Sequence, residues 1–162
     1  MDRVVLDTNV LLDWLVFDDP AARTLGLAVE RGQVAWLQCP GTNTEFEHMV
    51  RHASLARWQP DVDRCMAALA QFGRNVETPA RGHRVALRCS DADDQVFIDL
   101  ALAHQARWLV SRDRAVLKLA RRARSLGLQV VTPLVWAREF TNSSQSCAPM
   151  PIEQQEGRPK PP

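Results

Sequence analysis

The amino-acid sequence predicts a three-layer α/β/α domain built on a central parallel sheet. Short runs of β-branched and aliphatic residues recur at 4–6, 34–37, 108–110 and 128–131. Segments with helical punctuation separate them, so strand and helix alternate along the second half of the chain. Parallel neighbours require crossover connections, which helices commonly supply, and a sheet covered on both faces has strands that read as continuous apolar runs. The length of 162 residues, with 46% hydrophobic and 24% charged side chains, suits one domain with an ordinary core.

The first strand, residues 4–6, ends in the polar triplet Asp7, Thr8 and Asn9. Helices are expected over 10–16 and 21–31, the second announced by Asp19 before Pro20, an N-cap with proline at the first helical position, and ended by Gly32. A strand at 34–37 leads through Pro40 and Gly41 into a helix over 42–52, and Pro60 opens another that runs to Phe72. Between 74 and 88, Val76, Val85 and Leu87 suggest a short strand that Pro79 and Gly82 interrupt. Beyond Ser90 the order is helix 92–104, strand 108–110, helix 114–125, Gly127 and strand 128–131. Residues 1–140 are thus expected to form the domain. Residues 141–162 hold five of the ten prolines and few large apolar side chains, and are expected to form a disordered tail.

A formal charge of +1 exerts no global pull on polyanions, so attraction for nucleic acid has to come from local patches. The four cysteines lie far apart without a C-x-x-C pair, which argues against a zinc knuckle or a disulfide framework. The chain opens without a leader-like segment and contains no apolar run of membrane-spanning length, so a cytoplasmic location away from membranes is the expectation.

In open parallel α/β sheets, ligands bind beyond the carboxyl ends of the strands. Asp7 and Asp113 both sit just past such ends, and can converge despite their separation in sequence. Asp94, in the first turn of the helix after Ser-Asp-Ala-Asp-Asp, and Glu45, near the start of the helix after Gly41, can reach the same crevice. Gathering carboxylates in a partly desolvated cleft is costly unless their pKa values rise or hard cations bind. Magnesium or manganese is the natural partner, and phosphodiester hydrolysis is chemistry such ions support.

The motifs VVLDTNVLL, TEFEHMV, SDADDQVFIDLALAHQARWLVSRD and LQVVTP, in this order and spacing, resemble the PIN-domain nucleases. The likeness spans residues 1–140 and is strongest to the VapC-like branch, the toxin components of toxin–antitoxin systems. It implies Mg2+ or Mn2+ held by Asp7, Glu45, Asp94 and Asp113, with Asn9 and Ser111 as polar support. Asp93 is the alternative to Asp94, which is preferred because it stands seven residues before Ala101, the small residue that aligns with the family's helix pattern. Glu47 competes with Glu45, but the two lie about 200° apart around a helix, so only one can face the metal. The resemblance further implies an RNA substrate, a cognate antitoxin protein and a homodimer.

Local roles compete with these assignments. Asp91 can cap the helix, Asp93 and Asp94 can act as favourable first-turn charges, and Asp113 can cap the segment after it. Arg112, Arg114, Lys118 and Arg121 form a basic group beside Asp113, either a solvated face or a phosphate track joined by Arg81, His83, Arg84 and Arg88. His48 and His52 share a helix face but lack a third zinc ligand. Two other functions stand against the nuclease reading: a non-catalytic RNA- or protein-binding module of the same fold, and a haloacid-dehalogenase-type phosphatase. The latter uses the first-strand aspartate as nucleophile but needs a second aspartate two residues on, where this chain has Asn9.

Overall fold

The computed structural model describes residues 1–80 and 87–145. Five strands, β1 (Asp2–Leu6), β2 (Val34–Gln38), β3 (Gly73–Asn75), β4 (Trp108–Val110) and β5 (Gln129–Val131), form one all-parallel sheet in the order β3-β2-β1-β4-β5. The expected α/β/α architecture is therefore present. The chain lays down β1, β2 and β3 in one direction, then returns with β4 to the other side of β1. Strand order thus reverses between β1 and β4, and a crevice opens at their carboxyl ends.

Alternation along the strands divides the core into two layers. Val4, Leu6, Trp36, Trp108 and Val110 face α1 (Thr8–Leu15), α2 (Pro20–Glu30), α3 (Pro40–Val50), α4 (Val62–Phe72) and α8 (Pro133–Gln145). Val5, Leu37, Leu109 and Val130 face α5 (Gln95–Ala103), α6 (Arg114–Leu117) and α7 (Ala120–Arg124).

Several helix limits differ from the sequence expectation for identifiable reasons. α1 starts at Thr8, because Asp7 is already extended and its carbonyl accepts from Val10 and Leu11. α3 starts at Pro40, where a missing N–H is harmless, and ends at Val50; a 3-10 helix follows at Ala53–Trp58, capped by the His52 ring. Asp61 caps α4 through Arg64 N–H. The helix expected over 114–125 is two pieces, because Leu119 N–H bonds to the carbonyl three residues back and tightens the turn between them. The short strand expected from Val76, Val85 and Leu87 falls earlier, as β3 at Gly73–Asn75, with Val76 adding one bond from its N–H to the Gln38 carbonyl. Leu87 is buried in the core without joining a strand, and Val85 lies outside the described residues.

The last helix extends past residue 140, the expected domain limit. α8 runs through Gln145, and the Thr141 and Ser143 hydroxyls donate to the carbonyls of Ala137 and Glu139. Residues 146–162 of the expected tail lie outside the described residues.

The packing of α2 against α1 leaves no room at Gly26. A Cβ there would stand 2.1 Å from Trp14 Nε1, and Trp14 packs edge-on against Trp36 at 5.9 Å. Gly26→Ala is therefore expected to destabilise the fold by about 1–2 kcal/mol, the clash outweighing the gain in helix propensity. Thermal unfolding checks this, and a melting temperature at or above that of the unaltered chain would show that the indole has space to move.

Candidate active site

The site begins with two strand ends. β1 and β4 pair in register up to Leu6 and Val110, and Asp7 N–H continues the ladder to the Val110 carbonyl at 3.0 Å. That bond sets Asp7 beside Ser111, each one residue past the last paired rung of the two strands. Asp7 is buried, at 3% exposure, and Ser111 is fully buried. Its Oδ2 accepts from the Ser111 hydroxyl at 2.5 Å and from Asn9 Nδ2 at 3.2 Å.

The Ser111 Oγ in turn accepts from Asp113 N–H at 2.9 Å, which curls the loop after β4 toward Asp7. Asp113 Oδ1 caps α6 through Ala115 N–H at 2.7 Å. The local capping role and a place in the cleft are thus both realised: one oxygen holds the helix, while the other makes no hydrogen bond among the described residues. Asn9 Oδ1 accepts from Arg112 N–H at 3.3 Å and ties α1 to the same loop.

Glu45 enters from α3. Its Oε1 accepts from the Thr8 hydroxyl at 2.7 Å, whereas Glu47, on another face of the helix, pairs with Arg51 at 3.2 Å. Tertiary contact thereby separates the two glutamates that the sequence left in competition. Asp94 is half-buried at the start of α5, and its Oδ2 is buried with no hydrogen-bond partner among the described residues. Asp93 is exposed and gives its N–H to Asp91 at 3.0 Å.

Electrostatics describe the same convergence. Burial raises the Asp94 carboxyl from its ordinary 3.8 to about 7, reinforced by the charges of Asp7, Asp113, Asp91 and Glu45. Burial likewise raises Asp7, opposed by its bonds from Ser111, Thr8 and Asn9 and reinforced by Asp113. Burial raises Glu45, opposed by the Thr8 hydroxyl and reinforced by Asp7, Asp93 and Asp91. Acids from four separated segments therefore act on one another across one crevice.

The donors are hard oxygens, and the buried unpartnered oxygen of Asp94 is the kind of atom a cation would satisfy. Among the described residues no three His, Cys, Asp or Glu side chains lie close enough to enclose an ion unaided. Magnesium commonly keeps several waters and takes only one or two carboxylates, so the donor set fits such an ion without an all-protein cage.

The basic group divides. Arg112 is bound by acids on its own side of the fold: Nε to Asp13, and Nη2 to Asp19 at 3.1 Å, the same carboxylate that caps α2. Arg114, Lys118 and Arg121 are exposed and form no ion pair among the described residues, but they lie on α6, at its C-cap and on α7, so the break between the two helices keeps them from forming one continuous helical face. Arg88 is exposed; Arg81, His83 and Arg84 lie outside the described residues.

Sequence reasoning missed Thr8 as the anchor of Glu45, and Asp13 as the partner of Arg112. Asp13 did carry a signal, being the lone acid in α1. Burial raises its carboxyl, opposed by the Arg112 guanidinium.

A PIN-domain family model matches residues 3–115, well over half of the chain. Among solved structures, similarity extends to a chain of the crystal structure of VapBC2 from Rickettsia felis bound to a DNA fragment from their promoter. That match has a TM-score of 0.56 and 14% sequence identity, and covers 80% of this chain and 98% of the other. Identity that low speaks to fold alone. No curated protein matches the sequence.

Proposed function

The chain belongs to the PIN-domain family, and from that premise we propose that it is a divalent-metal-dependent endoribonuclease. The observation that carries this reading is the crevice between β1 and β4, where Asp7, Glu45, Asp94 and Asp113 act on one another and a buried Asp94 oxygen has no hydrogen-bond partner among the described residues. Such a pocket is unfavourable without cations and becomes favourable with them.

In this reading Asp7, Glu45, Asp94 and Asp113 would hold Mg2+ or Mn2+, one or two of them directly and the others through the ion's waters. When bound, the ion would lower the pKa of a coordinated water and offset negative charge developing on the phosphoryl group. The protein's own groups supply orientation. Ser111 and Asn9 hold the Asp7 carboxylate, Thr8 holds Glu45, and the Asp113 cap fixes its second oxygen relative to the loop. Preset oxygens of this kind cost little reorganisation when charge develops. Arg114, Lys118 and Arg121 are the cations available to draw an RNA backbone toward the crevice, whereas the Arg112 guanidinium holds the loop to α1 and α2.

A toxin role, a cognate antitoxin as protein partner and a homodimer as the working assembly belong to the same proposal and rest on the family resemblance; the fold shared with a VapBC2 chain is compatible with the antitoxin partner. A cytoplasmic location belongs to the same proposal; among the described residues no helix is long and apolar enough to cross a membrane. The phosphatase reading weakens further, because Asn9 donates to Asp7 where that chemistry needs an acid.

Among the described residues no three carboxylates form a cage, which is what favours a second reading, a non-catalytic binding module of the same fold. Incubating the purified chain with a mixed RNA pool decides between them. Fragments are expected with Mg2+ or Mn2+ and none in chelator. RNA that is bound yet left intact with both metals would establish the binding module instead.

A further inference from the structure

A second group of polar side chains lies on the same edge of the sheet, outside the acidic crevice. Gln38 ends β2 with its side chain 2% exposed. Its Nε2 donates to the Leu69 carbonyl at 3.0 Å and to Asn75 Oδ1 at 3.2 Å. Asn43 Nδ2, from α3, donates to the same Asn75 oxygen at 3.3 Å.

This chain of bonds fixes the orientation of three amides. A backbone carbonyl only accepts, so the Gln38 group facing Leu69 must be the NH2. The Asn75 atom facing that NH2 must then be oxygen, and the Asn43 atom facing that oxygen must be nitrogen. Besides the second N–H of Asn43 and the buried Gln38 Oε1, this leaves Asn75 Nδ2 to donate and Asn43 Oδ1 to accept, neither bonded among the described residues. Asn75 is exposed.

The arrangement is costly, and the fold is shaped to keep it. Gln38 Oε1 is buried without a partner among the described residues, which carries a desolvation penalty. Gly73 makes room for the Gln38 amide, since a Cβ there would stand 2.3 Å from its Cδ.

The strand register then sets the distance to the acids. Leu37 pairs with Val5 and Gln38 with Asn75, so Asn75 stands level with Leu6, two strands from β1. Two strand spacings are about 10 Å, a reach on the order of one to three nucleotides from the Asp7 crevice.

We propose that Asn75 and Asn43 form a base-reading pair that selects the RNA sequence cut. They hydrogen-bond the edge of a nucleobase beside the scissile phosphate, one that presents an acceptor next to a donor. Amide side chains read bases through such paired bonds. The inference rests on the endoribonuclease reading and adds the source of its sequence selectivity.

Mapping the ends of fragments from a randomised RNA pool cut in Mn2+ tests it. The unaltered chain is expected to favour certain bases at one position within about three nucleotides of the cut. Asn75→Ala should reduce that preference on the order of tenfold. Asn75→Asp keeps the acceptor facing Gln38 but replaces the outward donor by an acceptor, so the favoured base should change. An unaltered preference in Asn75→Ala, Asn75→Asp and Asn43→Ala would overturn the proposal while leaving the nuclease intact. A pool left whole by the unaltered chain would instead overturn the nuclease reading, and this inference with it.

Discussion

Asp7→Asn is expected to abolish RNA cleavage, by at least about a thousandfold, while leaving the metal-free protein as stable as before or more so. On the proposed metal site, the catalytic loss follows from the position of Asp7 at the strand switch, where its charge would help hold the cation; transition-state charge stabilisation by a metal contributes several kcal/mol. The stability effect has the opposite sign for the same reason. Burial and the Asp113 charge make the Asp7 carboxylate unfavourable in the folded state, and a neutral amide of equal size removes that penalty. Cleavage rates in Mn2+ and thermal unfolding in chelator check both halves. Retained activity would remove Asp7 from the metal site, and a large fall in stability would make its role structural.

The metal-free protein is expected to lose stability as pH rises from about 4 to about 7, and divalent cations should restore it. Asp94 titrates at 3.8 when unperturbed and at about 7 in the fold, so across that window the native state holds a proton that the unfolded chain has released. The unfolded state then binds fewer protons, and stability falls with rising pH. Below the unperturbed value the penalty is absent; above about 7 it is complete. Asp7, Asp13 and Glu45 are displaced in the same direction, so they add to the trend. Because protons and cations compete for these oxygens, the rise in melting temperature with Mg2+ or Mn2+ should be larger at pH 8 than at pH 5. Stability that climbed through this range in chelator, or a melting temperature indifferent to both metals at pH 8, would count against the cation site.

The parts of this protein legible in sequence are those governed by local pattern. A buried parallel strand is a short apolar run with a polar stop, which is why β1 and β4 were readable and Asp7 and Asp113 could be placed at their carboxyl ends. Caps were legible for the same reason, since Asp19 before Pro20 acts on N–H groups two and three residues away. Less visible were features set by distant partners. The end of α8 escaped detection because polar composition resembles a tail until hydroxyls bond back to carbonyls. The break between α6 and α7 escaped because the spacing of Arg114, Lys118 and Arg121 suits a continuous helix equally well.

Composition, periodicity and motif order by themselves determined an α/β domain with acids at its strand ends, because strand and helix patterns and caps act over a few residues. Tertiary structure alone decided that Glu45 faces Thr8 while Glu47 turns to Arg51, that Arg112 is consumed by Asp13 and Asp19, and that Gln38 orients Asn75 and Asn43. Each of these rests on strand register or helix packing that joins residues far apart in the chain, and electrostatic coupling depends on distance in space, which order along the chain does not encode.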